Sequence, residues 1–276
     1  MSVAAAIREA ASRLDATSDT ARLDAELLMA HALGCSRSAM LIGRMGDPVP
    51  EAFAALVARR AGEEPVAHIT GSQDFYGLPL RVTRDTLIPR GDSETLIEAA
   101  RDVFAGRLPP ARILDMGTGS GALLLAALTV FPEAEGVGID ASPAALAVAS
   151  ANAEALSLAA RARFFERNWN NPGWADDLGR FDLVLCNPPY VEAGATLDRS
   201  VAAFEPAGAL FAGDDGLDDY RRIVPQLGKL LLPGGVAILE IGATQGAAVC
   251  ALLRESGLEA GLRRDLAGRD RAVVCR

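Results

Sequence analysis

Residues 112–130 constrain the fold more than any other stretch. Arg112-Ile113-Leu114-Asp115-Met116 reads as a short buried strand, and Gly117-Thr118-Gly119-Ser120-Gly121 turns it into the apolar helical run Ala122 to Val130, which Pro132 stops. Gly136-Val137-Gly138-Ile139-Asp140 then reads as a second strand ending on a carboxylate. Ser142 supplies an N-cap and Pro143 a first-turn proline for the helix that follows. Strand, glycine turn, helix and strand in that order form the nucleotide-binding half of a doubly wound sheet. The expected class is α/β, with a Rossmann-like sheet.

Asp140 lies about 20 residues beyond the glycines, where an acid can hold ribose hydroxyls. Gly117-x-Gly119-x-x-Ala122 also fits the permissive NAD fingerprint, which alone is a weak signal. Asp115 weighs against a dinucleotide, because a carboxylate two residues before the first glycine repels a pyrophosphate. S-adenosylmethionine carries no phosphate, and its ammonium and sulfonium suit a nearby carboxylate.

A second motif follows the run Phe181-Asp182-Leu183-Val184-Leu185-Cys186, another short apolar strand. Asn187-Pro188-Pro189-Tyr190 ends it, since neither proline can donate to a ladder. Such a sequence is also ordinary turn punctuation. Beside a methyl-donor pocket it becomes a clamp for a planar NH2 group. The Asn187 side-chain oxygen and the Pro188 carbonyl are expected to accept its two hydrogens, with Tyr190 against the amide plane. The same clamp would serve the exocyclic amine of adenine or guanine, so an RNA or DNA N-methyltransferase is the alternative enzyme. A non-catalytic cofactor-binding scaffold is a third class, which the intact turn disfavours.

The run Leu114 to Gly121 followed by Asn187-Pro188-Pro189-Tyr190 resembles methyltransferases that modify planar amide or amino nitrogens. Glu64-Pro65-Val66-Ala67-His68-Ile69-Thr70-Gly71, Phe75-Tyr76-Gly77-Leu78-Pro79-Leu80, Leu87-Ile88-Pro89-Arg90 and Phe204-Glu205-Pro206 narrow the likeness. They resemble the protein-(glutamine-N5) methyltransferase family acting on peptide chain release factors, also called HemK or PrmC. The resemblance spans nearly the whole chain. It implies a class I methyltransferase sheet with a small N-terminal helical bundle that helps hold the release factor. It also implies S-adenosylmethionine as cofactor and, as substrate, the glutamine of the GGQ motif in class 1 release factors.

On that resemblance the catalytic residues are Asn187, Pro188, Pro189 and Tyr190. The cofactor site comprises Asp115, Gly117, Thr118, Gly119, Ser120, Gly121, Asp140, Asn168, Trp169 and Asn187. Two positions depart from the family pattern. Gly91 stands where proline is usual, and Asn168 stands where an acid is usual. Asn168 is expected to accept from the adenine amino group through its carbonyl oxygen, while Trp169 offers the ring a flat face.

The division expected is 1–72 helical, 73–91 a hairpin linker and 92–276 the methyltransferase domain. Ser18 or Asp19 should cap the second helix, with Gly34 ending it, and Asp92 or Ser93 should cap the helix that opens the large domain. Alternation over 72–90 places Tyr76, Leu78, Leu80 and Val82 on one side. Later, Leu217 to Leu231 reads as a helix closed by Pro233-Gly234-Gly235, then Val236 to Ile241 as a strand, Thr244 to Glu255 as a helix, and the C-terminus as an antiparallel hairpin. A net charge of -9 and a pI near 4.9 are unlike a free-standing nucleic-acid binder, so a protein partner and no direct nucleic acid are expected. The four cysteines show no metal spacing and read as reduced thiols of a cytoplasmic protein; Cys186 adjoins the turn but has no histidine near it in sequence. No run approaches the roughly 20 apolar residues of a membrane helix. A monomer without a metal is the expectation, two histidines being too few for histidine-based sites.

Overall fold

Apolar residues at helical spacing fill the first seventy positions, and five helices form there: α1 Val3–Leu14, α2 Ala21–Ala32, α3 Arg37–Gly43, α4 Phe53–Ala61 and α5 Val66–Thr70. The computed structural model describes all 276 residues. Ile7, Leu14, Leu28, Met29 and Met40 are fully buried among these helices. The expected Ser18 or Asp19 cap on α2 is not made. Thr20 takes the N-cap position without a capping bond, and the Ser18 and Thr20 hydroxyls donate to the Asp24 carboxylate at 2.7 and 3.0 Å. Asp24 is buried and also accepts from Arg60 Nε at 2.6 Å; the Ser18 hydroxyl turned toward it accepts from Thr20 N at 3.1 Å instead of from a helix amide. The other end follows expectation. Gly34, at φ 63°, closes a Schellman motif in which its N–H reaches His31 O and the Cys35 N–H reaches Ala30 O.

Next comes a hairpin of β1 Ser72–Phe75 and β2 Leu78–Arg81. Tyr76 and Gly77 form its two-residue turn with φ of 51° and 75°, the paired positive angles that match strand twist. Tyr76 therefore does not share an inward row with Leu80; Phe75 and Leu80 are the buried pair. A single 3₁₀ turn, Gly91–Ser93, then leads into α6 Glu94–Phe104. The capping bond expected from Asp92 or Ser93 is absent. Asp92 pairs instead with Arg269 at 2.9 Å and Arg271 at 3.0 Å, and Ser93 turns inward.

The remaining elements are β3 Arg112–Met116, α7 Ala122–Val130, β4 Glu135–Asp140, α8 Pro143–Ala155, β5 Ala162–Glu166, β6 Phe181–Cys186, α9 Arg199–Phe204, α10 Asp218–Leu230, β7 Leu231–Glu240, α11 Gly246–Glu255, β8 Ala260–Arg264 and β9 Asp270–Cys275. Seven strands form one sheet in the order β5-β4-β3-β6-β7-β9-β8. The first five run parallel; β9 is antiparallel to both its neighbours. Strands buried on both faces need continuous apolar runs, which β3, β6 and β7 supply. α7 is apolar all round because its positions from Ala122 to Leu128 are all buried.

Pro233-Gly234-Gly235 does not close α10. The helix stops at Leu230, β7 starts at once, and the register jumps from Phe181↔Leu231 to Leu183↔Val236. The extra residues bulge outward, and a Cβ on Gly235 would lie 2.8 Å from the Phe181 carbonyl, which explains the glycine there.

Two compact units result, divided differently from expectation. Met1–Ser72 is joined in the first by Leu197–Glu205, which carries α9; the second comprises Gln73–Thr196, hairpin included, and Pro206–Arg276. Within the first unit Arg199 Nε meets Glu63 at 2.9 Å, and Asp198 feels the charge of Arg60. Nothing local in residues 197–205 announces these partners. No helix is long and apolar enough to cross a membrane.

Candidate active site

β3 pairs β4 on one side and β6 on the other, so the chain departs in opposite directions from the carboxyl end of β3 and leaves a crevice there. Three glycines set the first wall. Gly117, Gly119 and Gly121 have φ of 70°, 55° and 84°, which L-residues with side chains rarely adopt. The Gly117 and Thr118 N–H groups both donate to Ile139 O at 2.9 Å. Asp140 ties the two βα turns together, its Oδ2 accepting from Gly119 N and its Oδ1 from Ser142 N, each at 2.9 Å. This bracing role of Asp140 leaves no mark in the sequence. Each oxygen keeps a lone pair.

Asp115 sits behind the turn with 1% exposure. Its Oδ2 accepts from Thr118 Oγ1 at 2.6 Å, while its Oδ1 is buried without a partner. Burial pushes the carboxyl up to about 7, against the Thr118 hydroxyl and the Leu124 N–H and with the help of the Asp140 charge. A buried acceptor left open beside a crevice suits a cationic donor.

Asn187 forms the second wall at the end of β6. Its backbone carbonyl lies 3.8 Å from where a Gly117 Cβ would stand, so the two motifs meet. Its Nδ2 donates to Ser93 Oγ at 3.4 Å, which turns the amide oxygen away from Ser93. Tyr190 points elsewhere than expected. Its hydroxyl donates to Glu240 Oε1 at 3.3 Å, and burial pushes the phenol up to about 12. Its carbonyl accepts from Gln245 Nε2 at 3.0 Å, and Gln245 Oε1 accepts from Gly242 N at 3.0 Å. The turn is thus pinned from β7 and the α11 entry.

The crevice encloses about 430 Å³, within the range of small-molecule sites. Gly117, Thr118, Gly119, Ser120, Asp140, Trp169, Asn187 and Pro189 border it, together with Ser93 and residues 84–87. Trp169 lies over Gly117, its ring carbon Cη2 3.0 Å from the Cβ position, and its Nε1 donates to Asp219 at 2.8 Å. Asp115, Gly121, Pro188 and Tyr190 stand behind the lining rather than in it. Asn168 is the residue expected to accept from the adenine amino group. It lies off the crevice, and its Oδ1 accepts from Asn170 N at 2.8 Å, closing a local turn. Cys186 is buried, and burial together with Asp115, Asp219 and Glu240 drives its thiol well above the ordinary value, so it is a packing thiol.

Sequence reasoning missed Ser93, Asp219, Glu240 and Gln245. Glu240 alone left a trace, as an acid closing the apolar strand Val236 to Leu239.

Comparison with known proteins matches residues 5–71 to a family model described as the PrmC N-terminal domain and residues 109–245 to one described as a methyltransferase domain. A "Release factor glutamine methyltransferase" of Cereibacter sphaeroides is 44% identical over 284 residues, covering 100% of this chain and 99% of that protein. A protein of the same name from Rhodospirillum rubrum is 43% identical over 261 residues, covering 92% and 78%. Among solved structures, the hMettl16 catalytic domain in complex with MAT2A 3'UTR hairpin 6 aligns with a TM-score of 0.57 at 18% identity, covering 79% of this chain and 81% of that one. A methyltransferase from Pyrococcus furiosus gives 0.53 at 16% identity, covering 79% and 95%. At these identities the structural likeness speaks to the fold alone.

Proposed function

This chain belongs to the release factor glutamine methyltransferase family, and we infer from that membership that it methylates the side-chain amide nitrogen (N5) of a release-factor glutamine with S-adenosylmethionine. The GGQ glutamine of class 1 release factors is the substrate proposed, with the first unit offering a polar face to that protein in the cytoplasm. The observation that carries the reading is the meeting of Asn187 with the glycine turn at one crevice.

The residues present fit the cofactor. Asp115, behind the glycine turn, sets a carboxylate whose charge favours an ammonium group in the crevice, Asp140 retains lone pairs for ribose hydroxyls, and Trp169 presents a fixed ring. When bound, S-adenosylmethionine supplies an electrophilic methyl group on a sulfonium.

A carboxamide nitrogen is a poor nucleophile because its lone pair is delocalised into the carbonyl. Asn187 Oδ1 and the Pro188 carbonyl are assigned to accept its two N–H bonds, which orients the nitrogen and stabilises positive charge developing on it. Orientation of this kind contributes several of the roughly 7–11 kcal/mol available to well-aligned reactions. Tyr190 acts from behind, bracing the turn through Glu240 and Gln245. No strong base is needed, since the nitrogen sheds its proton readily once methylated.

The test is incubation with labelled methyl donor and a purified release factor, followed by mapping of the label. Label on the GGQ glutamine is expected; label confined to a base of added RNA or DNA would overturn the reading.

A further inference from the structure

We propose that Asn152 of α8 is a positioning residue for the donor site: its side-chain amide bolts the glycine turn to the end of the β1–β2 hairpin and so fixes two parts of the crevice wall against each other. This deepens the function proposed above and rests on it. α8 starts at the crevice and runs away from it. Ser142 and Ala145 border the cavity, and Ala149, one turn on, has its Cβ 3.3 Å from where a Gly121 Cβ would lie. Ala145, Ala149 and Asn152 are spaced i, i+4 and i+7, which puts them on one helix face, and all three are buried. The bare Gly121 admits α8 at close range, and the next side chain along that face is an amide set among alanines, 2% exposed.

A side-chain amide has two N–H donors and a carbonyl acceptor, and here each has a backbone partner. Asn152 Nδ2 donates to Ser120 O at 2.9 Å and to Arg81 O at 3.0 Å, while Oδ1 accepts from Arg81 N at 2.8 Å. Arg81, the last residue of β2, thus pairs both backbone groups with Asn152 as it would with a neighbouring strand. Turned end for end, the amide would set its NH2 against the Arg81 N–H and its oxygen against two carbonyls, so the partners fix its orientation. A carboxylate has no N–H for either carbonyl, and an apolar side chain leaves the buried Ser120 carbonyl without this donor. Asparagine alone satisfies all three groups at this reach.

Both ends of this bolt lead into the crevice wall. Ser120 borders the cavity within the glycine turn, and three residues past Arg81 the chain reaches Arg84, the first of the wall residues 84–87. Little slack lies between, because Val82 is buried and Thr86 N donates back to Thr83 O at 3.3 Å. Asn152 does not line the cavity itself, so it acts through these two segments. A donor that holds the glycine turn in place therefore also holds Arg81, and loosening Arg81 loosens the donor, since coupling between two sites is reciprocal.

The test titrates the full-length chain with S-adenosylmethionine by calorimetry and follows single-turnover methylation of a purified release factor at saturating donor. Asn152→Ala should raise the donor dissociation constant about 10-fold or more and keep the rate at saturating donor within about 3-fold, because the Asn187 clamp is untouched. A merely structural asparagine would give fewer binding-competent molecules with unchanged affinity, and that result overturns the proposal. Wild type supplies a check that needs no folded variant. Bound donor should slow hydrogen exchange at Arg81 N–H about 10-fold or more, while Gly268 N–H, which donates to Asp265 O at 2.9 Å in the β8–β9 turn, keeps its rate. Exchange at Arg81 that ignores bound donor likewise overturns the proposal and leaves the functional reading standing. Wild type that binds no S-adenosylmethionine at all brings down the functional reading, and this proposal with it.

Discussion

Asp115→Asn tests the electrostatics of the glycine turn directly. The Asp115 carboxyl is raised from 3.8 to about 7 by burial. Between those values the native state binds a proton that the unfolded chain has released, so stability falls as pH rises through that window. About three pH units at ~1.36 kcal/mol each give a total penalty of ~4 kcal/mol above pH 7. Of this, about two units fall between pH 5 and pH 7, or ~3 kcal/mol. The substituted amide cannot ionise and escapes the penalty. It also brings an NH2 group to the place of the partnerless Oδ1, a cost that does not depend on pH. Urea unfolding of the donor-free protein at pH 5 and pH 8 separates the two effects. The variant should gain ~3 kcal/mol on wild type between those conditions, while its donor dissociation constant rises about 10-fold or more through loss of the carboxylate charge. A stability difference that stays constant with pH would refute the assignment of a neutral Asp115 in the donor-free fold.

Asn187→Ala should leave donor affinity nearly intact and cut turnover by about 100-fold or more; calorimetry beside single-turnover assays checks both, and equal loss of binding would make Asn187 a cofactor ligand. Asp140→Ala should raise the donor dissociation constant by about 10-fold or more and, by freeing Gly119 and Ser142 from their shared acceptor, speed amide exchange in both turns. Gly216→Ala places a Cβ 2.3 Å from the Tyr190 carbonyl and 2.6 Å from Gln245 Nε2 at a φ of 68°. About 2 kcal/mol or more of stability should be lost in denaturant unfolding, with turnover falling alongside.

Legibility in the sequence depends on how far each residue's partner lies along the chain. The glycine turn, α7 and the Ser142-Pro143 helix start are readable because positive φ, apolar runs and capping act within a few residues; Ser142 Oγ does accept from Ala145 N at 3.2 Å. The caps of α2 and α6 differ from expectation because distant arginines claim the local acids: Arg60 reaches Asp24, and Arg269 and Arg271 reach Asp92. Pro233-Gly234-Gly235 looks like a helix stop because its bulge exists only against Phe181. Asn187 is visible through its prolines, whereas Glu240 shows only as an acid at the end of an apolar strand whose neighbours belong to another part of the chain. Tyr190 reads as a substrate contact for the same reason: the acid that holds its hydroxyl is 50 residues away.

Asp140 fastens Gly119 and Ser142 to one carboxylate before any ligand arrives. The donor thus meets a frame already frozen in shape, and little of its affinity is spent on ordering loops. Association should then follow simple one-step kinetics, its observed rate climbing linearly with donor concentration rather than levelling off at a conformational limit.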